Sequence, residues 1–265
     1  MLKVAISGAA GRMGRRLAAI VSEQKDMQVA AAIDSADSPF QKKDSGLLAG
    51  ISENKVLITA SLGRKFDVLI DFSSPEGTAA RIDECVKTKT PIVIGTTGLT
   101  DEVLAKAHKA SAKIPVLVSP NMSVGMNALF NTVGKLAATL GDDYDIEIVE
   151  AHHKHKKDAP SGTAVKLAQE ICGALGKNLS DNALYGRKGQ VGERQKGEIG
   201  IFAVRGGDIV GEHRVLYVAD GETIEVIHRA HSRDTFVRGA VRAARFIANA
   251  KKGLYSMKDV LRINN

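Results

Sequence analysis

The apolar run Leu2-Lys3-Val4-Ala5-Ile6-Ser7 passes without a spacer into Gly8-Ala9-Ala10-Gly11-Arg12-Met13-Gly14, and this junction restricts the fold more than any other part of the chain. It reads as strand, glycine turn, helix. Glycines at G-x-x-G-x-x-G spacing let the backbone turn tightly and approach a pyrophosphate, whose charge then rests on the N–H groups of the helix start. A second apolar run, Gln28-Val29-Ala30-Ala31-Ala32-Ile33, ends in Asp34, about 20 residues past the last glycine, where such folds hold the ribose hydroxyls of a dinucleotide. Candidate cofactor contacts in and after this turn are therefore Gly8, Ala9, Gly11, Arg12 and Asp34. The competing readings are a glycine turn that serves packing alone, an Asp34 that only caps the strand end, and an Arg12 exposed on the first helical turn.

Strand and helix signals keep alternating. Residues 67–72 form an apolar strand, Ser73-Ser74-Pro75-Glu76-Gly77 caps and opens a helix to about residue 87, and residues 91–94 form the next strand. Gly95-Thr96-Thr97-Gly98 leaves that strand, a helix follows over residues 100–112, and residues 114–118 close the series. This is the doubly wound parallel pattern, which binds ligands outside the carboxyl ends of its strands. Gly95, Thr96 and Thr97, with the loop Ser119, Pro120, Asn121 and Met122, are candidates for the nicotinamide edge; ordinary turn chemistry is the alternative for both.

After Ser123 the pattern changes. A long helix over residues 125–140 precedes a strand with alternating polarity, Tyr144-Asp145-Ile146-Glu147-Ile148-Val149-Glu150. A helix from Ser161 to about residue 175, a glycine- and charge-rich loop over 178–197, and strands near 198–205, 208–218 and 222–228 follow. Gly206-Gly207 and Asp220-Gly221 read as tight turns, which makes this part α+β and largely antiparallel. Helices near 234–248 and 256–261 are expected to return to the first domain and cover an edge. The expected architecture is an N-terminal Rossmann-type α/β domain, a doubly wound parallel sheet from residues 1–123 plus 233–265, with a second α+β domain built on an open mixed sheet from residues 124–232.

The second domain carries the most reactive segment, Glu150-Ala151-His152-His153-Lys154-His155-Lys156-Lys157-Asp158-Ala159-Pro160-Ser161-Gly162-Thr163-Ala164. Histidine titrates near neutrality, lysine adds cationic charge, and the helix start offers N–H donors to an anion. The segment thus reads as an anion-binding and proton-transfer site, with Lys154, His155 and Lys157 equally readable as a solvated basic face. Adjacent histidines on a strand point to opposite faces and the neighbouring lysines oppose a cation, so no metal is expected.

Composition narrows the partners. The 265 residues carry 37 Lys and Arg against 30 Asp and Glu, a net +7, but the charges are interleaved, tryptophan is absent and aromatics make up 4%, which leaves little for stacking on bases. Acidic small molecules suit this charge better than nucleic acid. No run approaches membrane-spanning length, no leader precedes the first strand, and Cys85 and Cys172 fall within predicted helices as buried, reduced thiols. A cytoplasmic enzyme is the expectation.

Five segments, GAAGRMG from Gly8, GTTG from Gly95, NMSVGMN from Asn121, EAHHKHKKDAPSGTA from Glu150 and RGGDIVGEH from Arg205, together resemble the 4-hydroxy-tetrahydrodipicolinate reductase family over essentially the whole chain, in order. The histidine-rich segment is the most specific of the five. The resemblance implies reduction of a cyclic imine dicarboxylate by NADH or NADPH on the route to diaminopimelate and lysine, in a homotetramer assembled through the sheet of the central domain. It implies His152 and Lys156 as proton-transfer residues, with His153, Gly162, Thr163 and Arg233 as substrate contacts, and Gly8, Arg12, Met13, Asp34, Gly95, Thr97 and the loop from Ser119 to Met122 as cofactor contacts. Thr163 or Ser161 as helix caps, and Arg233 as an ion-pair partner of Asp234 or Asp259, are the competing readings. Family members that use NADPH often place arginine directly after the ribose-binding acid, whereas Ser35 follows Asp34; NADH is the expected preference, with Lys42 and Lys43 as the alternative cations for a 2′-phosphate. Another two-domain dehydrogenase, or a dinucleotide sensor, would share the glycine turn but leave the His-Lys segment without work.

Overall fold

The computed structural model describes residues 1–263. Strand β1 (Leu2–Ser7) leads through the glycine turn into α1 (Arg12–Ser22), and the alternation runs on through β2 (Met27–Ile33), α2 (Ser45–Leu48), β3 (Ile58–Thr59), β4 (Val68–Asp71), α3 (Pro75–Thr88), β5 (Ile92–Ile94), α4 (Asp101–Ser111) and β6 (Pro115–Val118). Next come α5 (Val124–Leu140), β7 (Asp145–His152), α6 (Gly162–Ala174), α7 (Leu179–Asn182), β8 (Ala183–Leu184), β9 (Ile199–Arg205), β10 (Gly211–Ala219) and β11 (Glu222–Ala230), followed by α8 (Asp234–Ile247), β12 (Gly253–Tyr255) and α9 (Met257–Leu261). The chain divides into two compact units, one of Met1–Val124 with the segment from Asp234 onward, the other Gly125–Arg233. Both divisions fall one residue beyond those expected from the sequence.

In the first unit seven strands pair in parallel in the order β12-β6-β5-β4-β1-β2-β3. Every residue of β4 and β5 is buried, which is why these strands read as unbroken apolar runs rather than as alternations. The direction of winding reverses between β1 and β4, and the carboxyl ends on either side of that switch form the crevice in which such sheets hold ligands. Helix starts follow the expected chemistry: Ser74 accepts from Gly77 N with Pro75 in the first turn, and Thr100 accepts from Val103 N. The returning segment differs from expectation. Helix α8 does not cover an edge; Val237, Ala240, Val241, Ala244 and Ile247 pack with Leu17 and Ile20 of α1 against the sheet face. The edge is instead extended by β12, which pairs in parallel with β6. Like α2, β3, α7 and β8, it is too short to leave a period in the sequence.

The second unit holds five strands in the order β11-β10-β7-β9-β8. β7, β10 and β11 are antiparallel, but β9 pairs in parallel with both β7 and β8, so the sheet is evenly mixed rather than largely antiparallel. Gly206-Gly207 consequently closes no hairpin, because β7 lies between β9 and β10. Asp220-Gly221 does join a hairpin, with Ala219 opposite Glu222 and Gly221 at a φ of 92°. The inner face packs Ile146, Ile148, Ile201, Val215 and Tyr217 against α5 and α6, and the Tyr217 hydroxyl donates to Val133 O at 2.7 Å. Along β7 this face reads Ile146, Ile148, Glu150, His152: the period of two that builds the core continues past the apolar layer into a polar end. Cys85 and Cys172 are free and buried, as expected, and no helix among the described residues is long and apolar enough to cross a membrane.

Candidate functional site

The glycine turn of the first unit is dictated by sterics. Gly8 has a φ of 75°, and a Cβ there would stand 2.2 Å from Phe72 O. A Cβ on Gly14 would lie 2.1 Å from Gly8 O, so α1 crosses the turn closer than any side chain permits. Gly11 is the N-cap residue of α1. Ala9 N donates to Ile33 O at 3.0 Å, and the Asp34 carboxylate accepts from Ala10 N at 2.7 Å and Ser35 N at 2.9 Å. Asp34 therefore braces the glycine turn, and it keeps lone pairs for a ribose because a carboxylate accepts about four hydrogen bonds. A cavity of about 800 Å³ opens beside it, lined among others by Gly8, Gly11, Asp34, Ser35, Phe40 and Arg81. A cradle that a Cβ would fill, next to an acid with spare acceptors, fits a dinucleotide. Met13 packs against the core and Arg12 is exposed on the helix surface. Arg15, which the sequence did not single out, turns back instead: its Nε donates to Ala10 O at 2.7 Å and its guanidinium lies 4.9 Å from the Phe40 ring centre.

The two loops considered for the nicotinamide edge leave neighbouring strands, β5 and β6. Gly95 is required by Phe72, whose ring would lie 2.3 Å from a Cβ. Thr96 Oγ1 donates to the buried Asp71 carboxylate at 2.9 Å and accepts from Ser73 N at 3.0 Å, while Ser73 and Thr78 hydroxyls also donate to Asp71 at 2.7 and 2.5 Å. The Thr96 side chain thus builds the loop, and Thr97 is the exposed member. Ser119 Oγ donates to Asn121 O at 2.8 Å, Asn121 Oδ1 accepts from Ser123 N at 2.9 Å, Met122 is buried, and Pro120 is exposed.

In the second unit the carboxyl end of β7 delivers the reactive segment. Glu150 is fully buried, opposite His213 of β10 in register, and His152 is opposite Arg205 of β9. The Glu150 carboxylate contacts His152 Nδ1 at 2.6 Å and accepts from Ser161 N at 2.9 Å and from both terminal nitrogens of Arg205 at 2.8 Å. Burial alone would raise its pKa, yet these donors hold it at about 2, so it is a carboxylate at neutral pH. His213 is buried beside it, its ring centre 5.2 Å from that of His152, and its Nε2 is 3.1 Å from Ser161 Oγ. Burial, reinforced by His152, pushes His213 down to about 3, so this imidazole is neutral. Ser161 is the N-cap of α6 and accepts from Ala164 N at 3.2 Å, with Pro160 just before the cap. At Gly162 a Cβ would meet open space, and Thr163 follows within the first turn.

His153 lies on the other side of the chain, its ring centre 6.3 Å from that of His155; burial and then the Arg233 charge lower its pKa. Arg233 therefore belongs electrostatically with His153. Of the acids named as its alternative partners, Asp234 receives two hydrogen bonds from Arg16, and Asp259 completes the capping box of α9 with Ser256. Lys156 Nζ lies 2.9 Å from the Asp158 carboxylate, whereas Lys154, His155 and Lys157 are exposed, as a solvated face would be. Sequence reading did not assign roles to Glu150, Arg205, Ser161 as a ligand of Glu150, or His213. The signal for Arg205 and His213 was the run between them, which carries both β-strand partners of the Glu150 site.

The chain matches the family model described as dihydrodipicolinate reductase, N-terminus, over residues 2–122, and that described as dihydrodipicolinate reductase, C-terminus, over residues 125–261. It is 48% identical over 264 residues to the 4-hydroxy-tetrahydrodipicolinate reductase of Syntrophotalea carbinolica, covering 98% of this chain and 99% of that one. The corresponding reductase of Syntrophus aciditrophicus is 46% identical over 264 residues, with 98% of each covered. Among solved structures, the fold is similar to a dipicolinate-bound dihydrodipicolinate reductase from Paenisporosarcina sp. TG-14, with a TM-score of 0.74, 25% identity and full coverage of both chains.

Proposed function

The chain belongs to the dihydrodipicolinate reductase family, and on that premise we propose that it reduces (2S,4S)-4-hydroxy-2,3,4,5-tetrahydrodipicolinate to (S)-2,3,4,5-tetrahydrodipicolinate with NADH or NADPH, in the diaminopimelate and lysine route. It is a nicotinamide-dependent oxidoreductase. The substrate loses its 4-hydroxyl as water and gains a hydride and a proton. When bound, the dinucleotide supplies the hydride. Gly8, Ala9, Gly11, Arg12 and Met13 would hold its pyrophosphate side, Asp34 its ribose, and Gly95, Thr96, Thr97 and residues 119–122 its nicotinamide side. The chain supplies the proton: Lys156 is the donor of choice because its ammonium also attracts a dianion, and His152 is the second proton carrier. Gly162 and Thr163, at a helix start, offer main-chain donors to a carboxylate, and Arg233 and His153 complete the proposed substrate contacts.

The observation that carries this reading is the Glu150 carboxylate, which binds His152 and Ser161 together and so joins a proton carrier to an anion-binding helix start. Incubation with NADH and enzymatically generated substrate should oxidise the cofactor, followed by its absorbance; no turnover with either cofactor overturns the reading. NADH is the preferred cofactor in this proposal, since the cavity carries the acids Asp34 and Asp37 and an Arg81 already engaged by Ala60 O and Glu84, while Ser35 brings no cation. Wild-type kcat/KM should be higher with NADH, and Ser35→Arg should move the ratio towards NADPH; a wild-type preference for NADPH would return attention to Lys42 and Lys43. Pyridine-2,6-dicarboxylate, the ligand of the solved relative, should compete with substrate here, less tightly in Thr163→Val and Arg233→Ala. We place the enzyme in the cytoplasm as a homotetramer, joined through the outer face of the second sheet, where Val204 and Ile227 are 48% and 38% exposed. Sedimentation of wild type against Val204→Glu tests that assembly.

A further inference from the structure

Within the proposed reductase reading, we infer that Glu150 and Arg205 form a common mount for both proton-transfer residues, locking His152 with its proton on Nδ1 so that Nε2 is the nitrogen that exchanges a proton with substrate, and anchoring the loop that carries Lys156. A lone carboxylate removed from water is strongly destabilising unless donors surround it. Glu150 Oε1 takes Ser161 N and one Arg205 nitrogen; Oε2 takes the other Arg205 nitrogen and His152 Nδ1. Two of those partners are obligate donors, an amide and a guanidinium, and they hold the group ionised. An ionised carboxylate only accepts, so the hydrogen in the His152 contact sits on Nδ1.

The other nitrogen has room. His152 Nε2 lies beside Gly211, 3.2 Å from where a Cβ would stand, so glycine leaves that edge of the ring uncrowded. Arg205 then extends the mount. The same nitrogen that binds Glu150 Oε1 donates to Asp158 O at 2.7 Å, and the Asp158 carboxylate pairs with Lys156 Nζ at 2.9 Å. One guanidinium therefore fixes the strand that bears His152 and the loop that bears Lys156. The titratable and charged groups around His152 are Glu150 on its own strand, Arg205 on β9, His213 on β10 with His228 of β11 beyond it, and Lys156 and His153 from the loop. His213, buried and bonded to Ser161, adds an imidazole that takes no charge at neutral pH and so does not oppose a proton on His152.

Histidine-labelled protein followed by ¹⁵N NMR should show neutral wild-type His152 protonated at Nδ1 and not at Nε2, assigned by comparison with His152→Asn. Glu150→Gln should lose that single tautomer and lower kcat by up to about 10⁴-fold, the scale seen when the carboxylate that sets a catalytic histidine's tautomer is replaced by its amide, with NADH affinity by titration unchanged. Arg205→Lys retains a cation without the two-pronged grip; it should lower kcat while His152 keeps its tautomer. A wild-type His152 protonated on Nε2 when neutral overturns the inference without any variant, and so does wild-type kcat in folded Glu150→Gln. The two readings separate cleanly: an Nδ1–H tautomer in a wild type that turns over no substrate sinks the reductase reading and leaves the mount, whereas turnover with an Nε2–H tautomer does the reverse.

Discussion

Asp34 and Glu150 both stand where a strand delivers its end to a candidate site, yet they are held in opposite ways. Asp34 is bound by main-chain N–H groups of Ala10 and Ser35, in a turn whose shape is set by what Gly8 and Gly14 lack. Glu150 is bound by a guanidinium, an imidazole and one amide, in a place where strand order supplies the partners. The first region is built by sterics and the second by charge. Steric changes should therefore damage the one, and charge or pH the other.

The largest separation is expected from Lys156→Met. Removing a general acid should lower kcat roughly 10²- to 10⁴-fold while leaving NADH affinity, measured by titration, near wild type. Weakened NADH binding in this variant would break the division between the regions; near-normal kcat would move the proton to His152 or water.

Glycine substitutions sharpen the steric half. In Gly8→Ala the new methyl meets Phe72 O at 2.2 Å in a backbone region with positive φ, and such strain alone costs about 1–3 kcal/mol. Denaturant unfolding should show that loss together with weaker NADH binding. Gly162→Ala meets open space at the start of α6, so stability should change by no more than about 0.5 kcal/mol, and the effect should appear in the substrate KM. Equal destabilisation of both variants would contradict the contrast.

The acid response of the second region tests its dependence on charge directly. His213 falls from an ordinary 6.5 to about 3 and Glu150 from 4.5 to about 2. In both cases the folded value is the lower one, so the unfolded chain binds more protons between the two values and stability declines as pH falls: through His213 from 6.5 downward, through Glu150 from 4.5 towards 2. Tm should be highest near neutrality and decline below pH 6.5, with a shallower decline between 6.5 and 4.5 in His213→Asn. A Tm that climbs on acidification through that window would show that His213 is charged in the folded protein.

Much of the first region was legible because its causes are local. The glycine turn, the caps Ser74 and Thr100, and the buried strands β4 and β5 each follow from residues within a few positions of one another. The role of Asp34 was legible only in part: its type and spacing were readable, its bond to Ala10 N was not. In the second region the segment from Glu150 to Thr163 announced its chemistry, but its partners lay in β9 and β10. The tight-turn reading of Gly206-Gly207 shows the difficulty. Two glycines between two apolar runs look the same whether the runs pair with each other or, as here, admit β7 between them.

By itself the sequence determined the strand, turn and helix at Gly8, because a missing Cβ acts on neighbouring backbone, and it determined that Glu150 and His152 share a face with Ile146 and Ile148, because a strand has a period of two. Tertiary structure alone decided that Arg205, 55 residues away, grips Glu150 and that His213 lies beside His152. Strand order chooses which distant side chains enter the same buried volume, and burial, through desolvation and the donors at hand, then decides which of them carry charge.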